Sequence, residues 1–247
     1  MNTKYKKNYL TVVIARIDFS SRLNTDELPK DLRQTILKIC PISEPKKIIN
    51  QEFKFDQNEK VEVKADVYGT EWNFHANMKE KQFVISPNFL SISYHKYESF
   101  EKLKSEFLPV VEKLFEAYPD IEIVRLGLRY VNEINLFEQN PLSWEKYLNS
   151  NLLSMFEIPD NKEAILRGFS ELIFNTEDMN LVFKYGMHNP DFPASIKKKI
   201  FILDFDAQYI CLQELKDIQL NLITAHDEIE KLFEKSITSE LRVKLNE

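Results

Sequence analysis

Residues 121–136 read IEIVRLGLRYVNEINL. Taken with a period of two, the even positions are mostly apolar (Val124, Leu126, Leu128, Tyr130, Ile134, Leu136), and the odd ones carry Arg125, Gly127, Arg129 and Glu133. Side chains alternate across a strand, so the pattern predicts a long strand with one face on a core and two arginines on the other. Asn132 falls on the apolar side. A buried amide needs partners, so Asn132 is expected to hydrogen-bond inward to backbone.

Working outward, residues 9–19 (YLTVVIARIDF) are rich in β-branched side chains and read as a first, largely buried strand. Asn24 or Thr25 can cap a helix over about 26–39, with Asp26 and Glu27 in its first turn and Pro41 and Pro45 beyond its end. Residues 47–56, 60–66, 71–77, 81–86 and 89–97 read as short antiparallel strands, punctuated by Gly69, a turn at 78–80 and Pro87–Asn88. Ser99 caps a helix reaching about Tyr118, whose apolar stripe runs from Phe100 to Phe115 and which Pro109 is expected to kink. After the arginine strand come a helical segment at 144–153, strands at 164–174, 179–185 and 200–211, and an amphipathic helix at 215–234. Each half therefore reads strand, helix, antiparallel strands, long helix. The expected fold class is α+β in two lobes of similar plan, residues 1–120 and 121–247, each a mainly antiparallel sheet covered by long amphipathic helices.

Composition narrows the function. The chain has 4 glycines in 247 residues and neither phosphate-loop motif, which argues against the standard nucleotide cradles. Residues 1–120 carry 19 basic against 18 acidic side chains, and residues 121–247 carry 14 against 21. An acidic second half does not favour nucleic acid, which wants a basic stripe. Two cysteines, Cys40 and Cys211, with a polar start and no long apolar run, point to reduced buried thiols in a cytoplasmic protein that neither crosses nor enters a membrane.

Several side chains are candidates for binding. Arg125 and Arg129 share a face and flank Gly127, leaving a gap that suits a carboxylate, a phosphate or a base. The structural alternative is that they pair with acidic groups of neighbouring strands such as Asp204 and Asp206 in LDFDAQ. That aspartate pair also has the oxygen ligands a divalent cation takes, but no companion completes a shell, so no metal is expected. His226, in TAHDEIEKLF, is a candidate ligand-binding histidine on the last long helix, and no histidine has zinc spacing. Trp72, Phe74, Tyr94 and Tyr97 could offer a stacking platform but more simply fill a core. The run Lys197–Lys199 reads as a solvated sheet edge.

The stretch R-L-G-L-R-Y-V-N (Arg125 to Asn132) resembles a sporadically distributed, uncharacterised prokaryotic family marked by R-x-G-L-R-Y-x-N. The LDFDAQ strand and the final helix with His226, Phe233-Glu234 and Ile237-Thr238 resemble that family's C-terminal pattern. The resemblance carries no catalytic residues over. Its patchy occurrence implies genes that move between hosts, as anti-phage defence genes do. The reading that follows is a non-enzymatic binding or accessory protein, of a defence or mobile-element locus, acting through a protein partner or as a homo-oligomer without a cofactor. The alternative is a nucleotide or nucleic-acid sensor, or an enzyme, gripping phosphate with Arg125 and Arg129.

Overall fold

The computed structural model describes residues 5–55, 61–176 and 178–247, with backbone alone at 51–55 and 61–66. In chain order these are β1 (Leu10–Phe19), α1 (Lys30–Leu37), β2 (Ile42–Phe55), β3 (Val61–His75), β4 (Lys81–Ser86), β5 (Phe89–Tyr94) and α2 (Phe100–Ala117), then β6 (Ile123–Leu136), β7 (Gly168–Thr176), β8 (Met179–Met187), β9 (Lys199–Tyr209), α3 (Leu215–Ser236) and α4 (Ser239–Asn246).

All nine strands belong to one antiparallel sheet, ordered β2-β3-β4-β5-β1-β6-β9-β8-β7. The expectation of two lobes with separate sheets is therefore overturned. Each half runs from a first strand through antiparallel strands to a long helix, but the first strand of each half pairs with the first strand of the other. Leu10 faces Asn132, Ala15 faces Leu128 and Asp18 faces Arg125 along the β1–β6 seam. On its other side each of these strands binds the last strand of its own half, β1 against β5 and β6 against β9. Two sheets kept apart would each have left a long central strand with unpaired backbone groups at an edge; joining them satisfies both.

Alternation sorts the two faces of the sheet. Val13, Ala15 and Ile17 of β1 lie on the same side as Leu126, Leu128 and Tyr130 of β6 and Leu203, Phe205 and Ala207 of β9, all buried. The helices pack on this side. Leu103, Phe107, Val110 and Leu114 of α2 and Ile218, Leu222 and Ile229 of α3 join the same core. Ser99 caps α2 through the Lys102 amide at 3.1 Å, and Pro109 sits within α2.

Several local expectations shift. α1 starts at Lys30 rather than Asp26, because Thr25 and Asp26 are taken up by β3 and β2: Trp72 Nε1 donates to the Thr25 carbonyl at 2.8 Å, and Lys47 reaches Asp26 at 2.9 Å. The predicted strand break at Gly69 is instead a bulge inside a long β2–β3 hairpin, where the register slips between Ile48 and Ile49 and Gly69 takes φ +149°. Asp56 and Lys60, expected at strand ends, lie outside the described residues. The predicted helix at 144–153 is a set of turns and short 3₁₀ segments that bury Trp144, Tyr147 and Leu148.

Two polar residues are buried where the sequence suggested exposure or gave no hint. Lys199, expected in a solvated run, is 3% exposed at the start of β9. Its ammonium donates to Glu138 at 2.9 Å and lies over the Trp144 and Tyr147 rings, so it ties the 137–157 connection to the sheet. Glu106 of α2 faces the core and accepts from Lys81 Nζ at 2.6 and 2.8 Å and from the Tyr94 hydroxyl at 2.6 Å. Of the two thiols expected to be buried, Cys40 is; Cys211 is exposed. No helix among the described residues is long and apolar enough to cross a membrane.

Asn132 is 6% exposed and its Nδ2 donates across the β6–β9 pair to the Leu203 carbonyl at 3.4 Å. Asn132→Leu removes that donor and leaves the carbonyl short of a partner. The expected cost is about 1–2 kcal/mol, read as a fall of several degrees in melting temperature. A variant melting within about a degree of wild type would contradict the assignment.

Candidate functional site

The residues singled out in the sequence fall in two places on opposite sides of the sheet. Arg125, Arg129, Asp204 and Asp206 lie on the face away from the helices; His226 lies on the helical side.

On the open face every one of the four has a neighbour that accounts for it. Arg125 donates to Asp18 Oδ2 at 2.9 Å, and the other oxygen of Asp18 accepts from Arg16. Arg129 makes a two-point contact with Asp204 at 2.8 and 2.6 Å, diagonal to the register that sets it directly opposite Asp206. Asp206 accepts from Gln208 Nε2 at 2.6 Å, and burial pushes its carboxyl above the ordinary range. The gap expected at Gly127 is filled by Arg125, whose guanidinium lies where a Cβ on Gly127 would stand 3.1 Å away. Cross-strand neutralisation by Asp18 and Asp204 thus absorbs both guanidinium groups.

The helical side holds a cavity of about 230 Å³. Its floor is Tyr130 and Asn132 of β6 with Phe205 of β9, and one wall is His226, Ile229 and Phe233 of α3. The start of α2 and the residues before it form the other wall, and the 5–10 segment crosses the top. That segment is held at both ends. The Tyr5 hydroxyl donates to Glu234, which Arg242 also grips at 2.8 Å, and the Glu133 amide donates to the Tyr9 carbonyl at 2.8 Å.

Three polar side chains form a chain inside. The Tyr97 and Tyr130 hydroxyls are 3.0 Å apart, and the Tyr130 hydroxyl is 3.1 Å from His226 Nδ1. Tyr130 has one proton to give, so it either donates to a neutral imidazole and accepts from Tyr97, or accepts from Nδ1–H and donates to Tyr97. The Phe100 ring lies flat on the imidazole, centroids 3.9 Å apart at 14°. Burial lowers the His226 pKa from its ordinary value, with Lys104 acting the same way and Asp227 and Glu101 opposing. Burial raises both tyrosines. All three are neutral near pH 7.

The rim is acidic. Glu98, Glu101, Glu230 and Glu234 line the cavity with one lysine, Lys7, and Glu234 is already held by Arg242. Ligand atoms of His226, Asp227 and Glu230 come within 4.8 Å of one another. Carboxylates at such spacing are ordinary on an exposed helical turn, and the geometry assigns no ion there.

His226 is legible in the sequence, but what surrounds it is not. Tyr130 looked like a core residue of the arginine strand, and Tyr97 like the end of β5. The cavity exists because Tyr97 follows β5, the 5–10 segment precedes β1, and α3 returns from the far end of the chain. No spacing in the sequence joins those three.

Two measurements check this description. Arg129→Ala strands Asp204, 11% exposed, and should cost about 1–2 kcal/mol, less than a fully buried pair because the guanidinium is itself 44% exposed. His226 has a folded pKa below its unfolded one, so its contribution is whole above about 6.5 and is lost as pH falls from there toward the folded value. Between about pH 7.5 and 5.5 the wild type should therefore lose more melting temperature than His226→Phe, and equal losses would contradict the buried neutral imidazole. Compared with family models and with curated proteins, the chain matches none.

Proposed function

We propose that this is a binding protein whose cavity receives a small organic amine, its ring among the aromatic walls and its ammonium at the acidic rim. The observation that carries the reading is the pairing of a largely apolar hollow, walled in part by Tyr97, Phe100, Tyr130, Phe205 and Phe233, with a mouth that carries Glu98, Glu101 and Glu230 beside one lysine, Lys7, and a fourth glutamate, Glu234, already held by Arg242. An apolar cavity of about 150 Å³ accommodates benzene, so about 230 Å³ has room for one ring with a short substituent. Tyr97, Tyr130 and His226 add hydrogen-bonding groups that orient a ligand without committing a charge to it. A cation beside aromatic faces and carboxylates is favoured, whereas a phosphate would meet like charge.

Binding rather than catalysis is supported by the state of the polar groups. The imidazole is engaged at Nδ1 and its basicity is lowered, and the tyrosines are pushed further from ionisation. A general base or nucleophile needs the opposite tuning. In this reading the cavity is the sensing part of an accessory protein that acts through a partner. The phosphate-gripping alternative loses support from the carboxylates already bound to Arg125 and Arg129.

The test is a thermal-shift series with single-ring compounds matched in size and differing in charge: arylalkyl amines, the neutral alcohols and the carboxylates. Amines are expected to raise the melting temperature, in proportion to about 2.7 kcal/mol at a hundredfold excess over Kd, and carboxylates to leave it unchanged. Stabilisation by the carboxylates instead, or by none of the three sets at millimolar concentration, would overturn the reading.

A further inference from the structure

The two edges of the sheet are protected very differently. At one end β2 carries Pro45, Lys46 and Lys47 and a bulge between Ile48 and Ile49, the devices that discourage another strand from adding. At the other end β7, GFSELIFNT, has no proline, no lysine and no register slip against β8. Phe169, Leu172, Ile173 and Phe174 are 46, 50, 64 and 40% exposed. Its one charge, Glu171, is held by Lys184 of β8 at 2.7 Å. Among the described residues no strand lies beyond β7. A long, apolar, unguarded edge is a site for strand addition.

We propose that β7 pairs with β7 of a second copy of this chain, antiparallel about a two-fold axis at Ile173, to give a continuous eighteen-stranded sheet (two copies of nine). The strand's own sequence selects this occupant and this register. An axis at Glu171 would set the carboxylate against its copy, and an axis at Leu172 would set Ile173 against Glu171. With the axis at Ile173, Leu172 meets Phe174 of the second copy, Ile173 meets its own copy, Glu171 meets Asn175 and Ser170 meets Thr176. From Ser170 to Thr176 apolar meets apolar and polar meets polar, while Phe169 falls opposite residue 177, outside the described residues. The face assignment agrees. Leu172 and Phe174 lie opposite Phe183 and Leu181 on the core side, and Ile173 lies beside Val182 on the open side. A two-fold axis makes the interface self-complementary, which an unrelated partner strand has no reason to be. One strand pair buries less area than a standard interface, so dissociation in the micromolar range is expected.

Sedimentation velocity on the full chain from about 5 to about 200 μM tests this. Wild type is expected to pass from monomer to dimer over that range. Ile173→Lys, which places two ammonium groups face to face at the axis, should stay monomeric while keeping a wild-type melting temperature at low concentration. If Ile173→Lys fails to fold, Ile173→Thr keeps strand propensity and should weaken the dimer severalfold. Asn175→Lys sets an ammonium opposite Glu171 of the second copy twice per dimer and should tighten it about fivefold. Ile49→Lys on the guarded edge should change nothing. A wild type monomeric at 200 μM, a dimer that survives Ile173→Lys, or one broken by Ile49→Lys would each overturn the proposal.

Discussion

The backbone pairing of β1 with β6 is the interaction on which the molecule depends. Each strand is the first of its half and each lies at the centre of the sheet, so the seam joins residues more than a hundred positions apart along most of its length. Without it the chain would have two smaller sheets with unpaired inner edges. With it, one core runs from Phe83 on one side to Phe183 on the other, and α2 and α3 meet above the join. The cavity is a product of that meeting: it opens where the start of α2, the middle of α3 and the segment entering β1 converge over β6.

The alternation that builds the seam also divides the chemistry. The guanidinium groups of the open face are matched in place, Arg16 and Arg125 to Asp18 and Arg129 to Asp204, while Asp206 is held by the Gln208 amide. On the other face Glu106 and the Tyr97–Tyr130–His226 chain are buried and hydrogen-bonded within the fold. Glu106 illustrates the balance. Burial alone would raise its pKa, but the Lys81 ammonium and the Tyr94 hydroxyl more than offset this and hold the carboxyl below its usual range. Around His226 the carboxylates of Asp227 and Glu101 oppose burial without offsetting it, and burial prevails.

Much of the fold could be read from local sequence, because strand alternation and helix stripes are local signals. The pattern at Arg125 to Leu136 placed the core face, the arginine face and the inward-turned Asn132 as they stand. What could not be read is what depends on distant partners. The merging of two expected lobes rests on which strand edges meet, and nothing in β1 or β6 alone names the other. Lys199 sits in a run of three lysines that looks solvated, yet Glu138, 61 residues earlier, makes its burial possible. Thr25 and Asp26 look like a helix start, but the bonds they make to Thr70, Trp72 and Lys47 delay the helix to Lys30. His226 was visible as an isolated histidine. Its tyrosine neighbours come from β6 and from the loop after β5, which the seam brings beneath α3.

Native-state hydrogen exchange reads that seam most directly. If the two halves are one cooperative sheet, the amides of β1 and β6 should share the slowest exchange in the protein, with the same opening free energy, and denaturant should unfold both halves in a single transition. Two sets of protected amides, one for residues up to Tyr118 and one for residues from Ile123 onward, opening at clearly different free energies, would show that the halves fold as separate bodies and that the β1–β6 pairing is not what holds them.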